Sequence, residues 1–280
     1  MSFFKDYVSQ LSTIYDRSEA EAITHLVFQN LLNTTSKISY INIDLIQITE
    51  RSLFANFQNT LYRLMANEPI QHIIGKMYFG EFEIDVNRNV LIPRPETEEL
   101  VFLMQQKING QSNISVMDLC TGSGCIAIAL AAKNKSAKIY ALEKSKKALE
   151  VATKNAVQNK VEINFIEADI FSWQSNLQFD FMVSNPPYIK WHEKQKMQAN
   201  VLLYEPTMAL FVANENPLQF YKKIKEIAIN NLKIGGEIFL EINAALGYET
   251  EELFTDNNFS AQLIHDMYLK PRFVFAKKIK

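Results

Sequence analysis

The run Val116-Met-Asp118-Leu-Cys120-Thr-Gly122-Ser-Gly124-Cys-Ile126 leaves this chain few choices of fold: a buried strand passes through an acidic residue and a glycine-bearing turn directly into a helix. Glycines at 122 and 124 let the backbone adopt positive φ and approach a ligand closely. From Glu98 onward helical and strand patterns alternate, which is the signature of a doubly wound α/β sheet with helices on both faces. The pattern predicts strands at Ser115–Asp118, Lys138–Leu142, Ile163–Glu167, Phe179–Ser184, Glu237–Ile242, Ala261–His265 and Phe273–Lys277. Helices are expected at Ile126–Lys133, Lys146–Asn159 and Gln219–Leu232.

The N-terminal quarter reads differently. No proline precedes Pro69 and no glycine precedes Gly75, and apolar residues fall at helical spacing in Ala20–Leu32 (Ala22, Ile23, Leu26, Val27, Leu31) and Leu45–Leu64 (Leu53, Phe54, Phe57, Leu61, Leu64). A small helical domain over residues 1–75 is expected, then a β-hairpin connector over 76–92, with a turn at Val86–Val90, and the α/β domain over 93–280. At 280 residues a large and a smaller domain are the natural division.

Composition narrows the function classes. Hydrophobic residues make up 48% and charged residues 21%, with no apolar run of membrane-spanning length and no signal-peptide pattern in Met1–Asp16, so a soluble, cytoplasmic protein is expected. A net charge of -2 gives no general basic field for phosphates, and the run Lys144-Ser-Lys146-Lys147 reads as a solvated helix start, so stable nucleic-acid binding is not expected. The two cysteines, Cys120 and Cys125, suit neither a disulfide framework nor a zinc site, and the four histidines are scattered, so no metal is expected.

Asp118 at the strand end separates two ligand classes. A carboxylate there repels a pyrophosphate but accepts hydrogen bonds, directly or through solvent, from the ammonium of an amino-acid tail, which favours S-adenosylmethionine over a dinucleotide. Glu143, at the end of the next strand, is placed to accept from two ribose hydroxyls. After the third strand, Asp169 is placed to accept from an adenine amino group, with Ile170 or Phe171 covering the ring or simply packing in the core.

The fourth strand runs into Asn185-Pro186-Pro187-Tyr188, beyond the C-terminal strand ends where ligands gather in open α/β sheets. Two prolines stiffen this loop, so the Asn185 side-chain oxygen and the Pro186 carbonyl form a rigid pair of acceptors suited to an NH2 group. Tyr188 is placed to stack on a planar substrate. Amide and aniline-like nitrogens have delocalised lone pairs, so orientation and polarisation carry much of their activation. Trp173 and Trp191 read as packing residues, with Trp191 able to edge the substrate channel.

Four stretches, Pro69-Ile-Gln-His-Ile-Ile-Gly75, Ile92-Pro-Arg-Pro-Glu-Thr-Glu98, Asp118-Leu-Cys-Thr-Gly-Ser-Gly124 and Val183-Ser-Asn-Pro-Pro-Tyr-Ile189, resemble the release-factor glutamine methyltransferases (HemK/PrmC). Weaker likeness follows in Tyr204–Leu210, Gln219–Ile224 and Gly235–Glu241, so that the resemblance spans about residues 60 to 280. It implies a Rossmann-like class I methyltransferase domain with a seven-stranded sheet, a helical N-terminal domain and a β-hairpin connector. It further implies transfer of methyl from S-adenosylmethionine, leaving S-adenosylhomocysteine, to the glutamine amide of the Gly-Gly-Gln motif in class I peptide-chain release factors. Asn185, Pro186 and Tyr188 are then the catalytic residues. Asp118, Thr121, Gly122, Ser123, Gly124, Glu143, Asp169, Ile170, Phe171 and Asn185 hold the cofactor. Pro187, Arg94, Pro95, Glu96 and Thr97 border the substrate, and Glu98 begins the following helix.

Three positions depart from the family pattern. Cys120 stands where many relatives have glycine, Ile170-Phe171 where some have tryptophan-phenylalanine, and Lys270-Pro271-Arg272 where a glycine or lysine precedes Asp-Arg. The Asn-Pro-Pro-Tyr loop alone is shared with DNA or RNA base-amino methyltransferases, the alternative substrate class, and a catalytically lapsed binding module is a third reading. The helical domain is expected to grip the release factor outside its glutamine loop, with the enzyme a monomer.

Overall fold

The computed structural model describes residues 3–34 and 51–280. These divide into two compact units, one within Met1–Lys76 together with Gln198–Tyr204, the other Met77–Met197 with Glu205–Lys280.

The first unit is helical: α1 (Phe3–Leu11), α2 (Arg17–Leu31), α3 (Arg51–Met65), α4 (Ile70–Ile74) and, from later in the chain, α8 (Ala199–Tyr204). Its core is an aromatic cluster of Phe4, Tyr7, Phe28 and Phe57, with the Phe28 and Phe57 centroids 4.5 Å apart and the Tyr7 hydroxyl donating to the Phe57 carbonyl at 3.1 Å. Helix α1 has no counterpart in the sequence expectations. The buried face of α2 is Ala20, Ile23, Thr24, Val27 and Phe28, whereas the expected Ala22 and Leu26 face solvent. Thr24 is admitted because its hydroxyl donates to the Ala20 carbonyl one turn back, at 2.7 Å. In α3, Phe57, Thr60 and Leu64 are buried and Phe54 is exposed, while the expected start at Leu45 lies outside the described residues.

The second unit opens with a hairpin, β1 (Lys76–Phe79) and β2 (Phe82–Asp85), which turns at Gly80-Glu81, where Gly80 takes φ +57°; the turn expected at Val86–Val90 is also present, with Val90 N donating to Asn87 O at 3.2 Å, but it follows the strand pair. There follow α5 (Pro95–Ile108), β3 (Ser115–Leu119), α6 (Cys125–Lys133), β4 (Lys138–Glu143), α7 (Lys146–Gln158), β5 (Asn164–Glu167) and β6 (Phe179–Ser184). After β7 (Ile189–Lys190) come α9 (Thr207–Leu210), β8 (Phe211–Val212), α10 (Gln219–Asn231), β9 (Leu232–Glu241), α11 (Gly247–Leu253), β10 (Phe259–His265) and β11 (Pro271–Lys278). Helix α5 begins at Pro95, not Glu98: proline is preorganised for the first helical position, where its missing N–H costs nothing.

Seven strands form one sheet in the order β10-β11-β9-β6-β3-β4-β5. Neighbours from β9 to β5 pair in parallel, and β11 runs antiparallel to both β9 and β10, so the far edge is a hairpin rather than another crossover. Alternate residues face opposite layers, as the two-residue strand period requires: Val116, Val183 and Phe239 pack with α5, α6 and α7, while Met117, Met182 and Ile238 pack with α10.

Sequence periodicity carries α10 on to Leu232, but the structure makes Leu232 the first residue of β9. The buried Lys278 ammonium caps the helix end by donating to the carbonyls of Ala228, Ile229 and Leu232 at 3.2, 2.6 and 2.8 Å. Lys233 then reaches Asp180 at 2.7 Å, and the register shifts so that Phe181 pairs with Glu237. Replacement Lys278→Met should remove these charge-assisted bonds and cost roughly 1.5–3 kcal/mol, read as a lower urea midpoint with an unchanged m value.

Candidate active site

Sheet order places a topological switch at β3 and β6, since successive strands run outward from β3 on one side and β6 opens the other. Leu119 pairs with Ser184, whose hydroxyl donates to the Leu119 carbonyl at 2.5 Å, so the loops at 120–124 and 185–188 leave the sheet side by side. They border a cavity of about 270 Å³.

The first loop has a left-handed backbone at Cys120 (φ +64°), Gly122 (+56°) and Gly124 (+82°). A Cβ on Gly122 would meet nothing within 4 Å, whereas one on Gly124 would lie 3.1 Å from the Ala152 Cβ and 3.3 Å from its Cα. The first glycine thus keeps a cradle open to the cavity, and the second lets the loop close on α7. Cys120 holds the same backbone region with a side chain, at a cost of roughly 1–2 kcal/mol that a glycine would not incur. Both cysteines are free thiols.

Asp118 is completely buried beneath this loop. Its Oδ2 accepts from the Thr121 hydroxyl at 2.5 Å, and its Oδ1 has no hydrogen-bond partner. Burial pushes its pKa up to about 7, against the opposing Thr121 bond and the Ala127 backbone N–H, which also acts on the carboxylate. Asp118 itself is not on the cavity wall, which Cys120, Thr121 and Gly122 form, so this expected cofactor residue can act on the cavity only through the loop. Glu143 accepts from Gly122 N at 3.0 Å and Ser145 N at 2.8 Å, bracing the cradle while a carboxylate's remaining lone pairs stay available. Asp169 accepts from Phe171 N at 3.0 Å and pairs with Lys144 at 2.8 Å, and Lys144 holds its carboxyl below the usual range. Ile170 is buried and lines the cavity, while Phe171 is half exposed and packs against Phe220 with centroids 5.0 Å apart.

In the second loop Asn185 and Pro187 line the cavity, but Pro186 and Tyr188 do not. The Asn185 Nδ2 donates to the Thr97 hydroxyl at 3.0 Å. Thr97, on the first turn of α5, donates in turn to Glu241 Oε2 at 2.7 Å. Tyr188 packs its ring among the apolar residues beside α10 and donates its hydroxyl to Glu241 Oε1 at 3.1 Å. Burial, then Glu241, raises the Tyr188 pKa far above its ordinary value, so the phenol stays protonated.

Of the expected substrate-bordering residues, Thr97 reaches the cavity wall and Arg94, Pro95 and Glu96 do not. Arg94 pairs with the buried Glu205 at 2.5 Å, and the other oxygen of Glu205 accepts from Ile92 N at 3.1 Å. Glu96 lies 3.9 Å from Arg272, which donates to Asp266 at 3.0 Å. Trp191 stacks on Phe211, a wall residue, at 4.5 Å, whereas Trp173 is buried in the sheet core.

Sequence reasoning assigned no role to Glu205, Glu241, Phe220 or Asn155. The first three fall in the weaker family-like segments, where the signal lay. Asn155 is fully buried in α7, accepting from Asp85 N at 2.8 Å and donating to Asp85 O at 3.1 Å and Ser123 O at 2.9 Å. It ties the hairpin to the glycine loop, a role no local pattern announces.

Residues 97–213 match the family model of the Methyltransferase small domain. A Release factor glutamine methyltransferase of Flavobacterium psychrophilum is 40% identical over 277 residues, covering 96% of this chain and 95% of its own. Another, of Bacteroides thetaiotaomicron, is 37% identical over 278 residues, covering 97% and 98%. The chain belongs to the release factor glutamine methyltransferase family. Among solved structures, a methyltransferase from Pyrococcus furiosus shares the fold at a TM-score of 0.54 and 19% identity, over 80% of this chain and 100% of that one.

In this methyltransferase the two loop glycines should respond differently to alanine. Gly124→Ala combines backbone strain with a clash against α7 and should lower unfolding free energy by roughly 2–4 kcal/mol, whereas Gly122→Ala carries only the strain, roughly 1–2 kcal/mol. Urea denaturation of both variants checks the ranking.

Proposed function

We propose that the chain transfers a methyl group from S-adenosylmethionine to the side-chain amide nitrogen of the glutamine in the Gly-Gly-Gln motif of class I peptide-chain release factors, leaving S-adenosylhomocysteine. The observation that carries this reading is Asn185: its NH2 group is engaged by Thr97, which leaves Oδ1 as an acceptor at a cavity that also holds the glycine cradle. An acceptor beside a donor-seeking carboxylate suits a substrate NH2 next to a cofactor ammonium. Family membership supports the glutamine side chain as that NH2.

The residues fit the cofactor on structural grounds. Asp118 Oδ1 lacks a donor that the amino-acid ammonium would supply through or beside Thr121, the Gly122 cradle is open, Glu143 keeps acceptor capacity for a diol, and Phe171 with Phe220 offers an aromatic wall for a flat base. When bound, S-adenosylmethionine supplies an electrophilic methyl on its sulfonium. The protein's part is orientation. Asn185 Oδ1, which lies at the cavity, would accept an amide hydrogen and hold the nitrogen facing the methyl; the N–C bond forms as the S–C bond breaks, and the nitrogen gives up one proton to solvent. The helical unit, which presents a separate folded surface, would engage the release factor away from the glutamine.

Incubation with labelled S-adenosylmethionine should put methyl into intact class I release factor and not into release factor with its Gly-Gly-Gln glutamine replaced, nor into duplex DNA. Asn185→Ala should lower kcat roughly 10²- to 10³-fold, the loss typical of one oriented polar group. Label in DNA alone would overturn the substrate assignment.

Cofactor affinity should also depend on pH. Free Asp118 titrates at about 7, and pairing with a cation lowers that value, so binding releases a proton below it. Affinity should rise by up to tenfold per unit as pH climbs toward that value and level off above it, with proton release measured by calorimetry in two buffers of different ionisation enthalpy. Affinity that falls as pH rises toward that value would exclude the ammonium contact, whereas a fall at higher pH, where the ligand's own ammonium loses its proton, is part of the same contact.

A further inference from the structure

We propose that Glu241 is a positioning residue that sets the polarity of the Asn185 amide, so that the carbonyl oxygen and not the NH2 group is presented to the cavity. The inference rests on the reading of Asn185 as acceptor for a substrate amide, and adds to it a cause lying outside the loop.

Glu241 ends β9 and is 1% exposed. An ionised carboxylate accepts only, so both hydroxyls that reach it must donate: Thr97 at 2.7 Å and Tyr188 at 3.1 Å. A threonine hydroxyl has one proton. With that proton committed to Glu241, Thr97 Oγ1 offers only lone pairs to its third neighbour, 3.0 Å away, and that neighbour is held as the Asn185 NH2. The opposite amide orientation would set two acceptors against each other at hydrogen-bond distance, in a partly buried setting where that bond goes unmade. The lost bond keeps one orientation dominant.

Geometry, not the balance of charges, makes Glu241 the acceptor: each of its oxygens faces a hydroxyl. Burial raises its pKa, and Glu96 acts in the same direction, whereas the two hydroxyls and Arg272 oppose them. Tyr188 is the weaker acid, so the proton in that bond remains on the phenol. Tyr221 donates to the backbone carbonyl of Glu241 at 3.2 Å and leaves the carboxylate untouched.

The test compares Glu241→Gln, Thr97→Val, Thr97→Ser and the Glu241→Gln/Thr97→Val pair, each checked for folding by thermal melting. Steady-state transfer to release factor should show kcat lowered about 100-fold in Glu241→Gln and Thr97→Val, with KM for release factor and cofactor affinity within about twofold of wild type. Thr97→Ser should restore near-normal kcat, and the double variant should be no worse than the poorer single. Losses that multiply, or that fall on KM, would overturn the proposal.

A second readout needs no substrate. In 15N-labelled protein the Asn185 side-chain amide, assigned by its disappearance in Asn185→Ala, should exchange slowly with water in wild type and Thr97→Ser, and faster in Thr97→Val and Glu241→Gln. An Asn185 signal indifferent to Glu241→Gln would overturn the proposal whatever the acceptor of the methyl group. Signals that respond as expected, in an enzyme that does not methylate release factor, would overturn the substrate assignment alone.

Discussion

The pairing of β3 with β6 is the constraint from which the candidate site follows. Leu119 and Ser184 are neighbours in the ladder and are joined again by the Ser184 hydroxyl, so whatever the two loops do begins from a fixed separation. Parallel pairing requires crossovers, and the crossover helices that bury the sheet also brace the loops. Gly124 closes on α7 and Thr97 stands on the first turn of α5. The site is therefore a product of sheet order more than of any one motif.

Buried carboxylates supply the second level of organisation. Asp118, Glu205 and Glu241 all lie in the interior of the second unit. Glu205 and Glu241 are engaged through both oxygens and fix backbone and side chains in place, whereas Asp118 keeps one oxygen unpartnered. A carboxylate withdrawn from water is stabilised only by the donors around it, so the one with an incomplete set is the costliest of the three to keep charged.

The sheet was legible in the sequence because its strands are apolar runs ended by turn residues, and all seven expected strands are present with ends displaced by a few residues. The largest displacement, at β9, comes from Lys278 capping α10, a contact between positions 46 apart that no window can detect. Local signals also named the cavity's glycine loop and Asn185. They misplaced helix faces in the first unit, where Thr24 is buried by its own backbone bond and Leu26 is not, since periodicity counts hydrophobicity and ignores such local satisfaction. Glu205, Glu241 and Asn155 were missed for one reason: each is polar, buried and defined by partners distant in sequence.

That distance bears on how the protein is made. The segment 92–97 is held by Glu205, 111 residues after Arg94, and by Glu241, 144 residues after Thr97. During synthesis at roughly 5–20 residues per second, the first half of the sheet can pair while both anchors are still untranslated. The wall bearing Thr97 then has nothing to hold it, and Asn185 has no fixed orientation until β9 inserts beside β6. The geometry around Thr97 and Asn185 is thus acquired late, and a product that stalls before β9 carries the glycine loop without that wall fixed beside it.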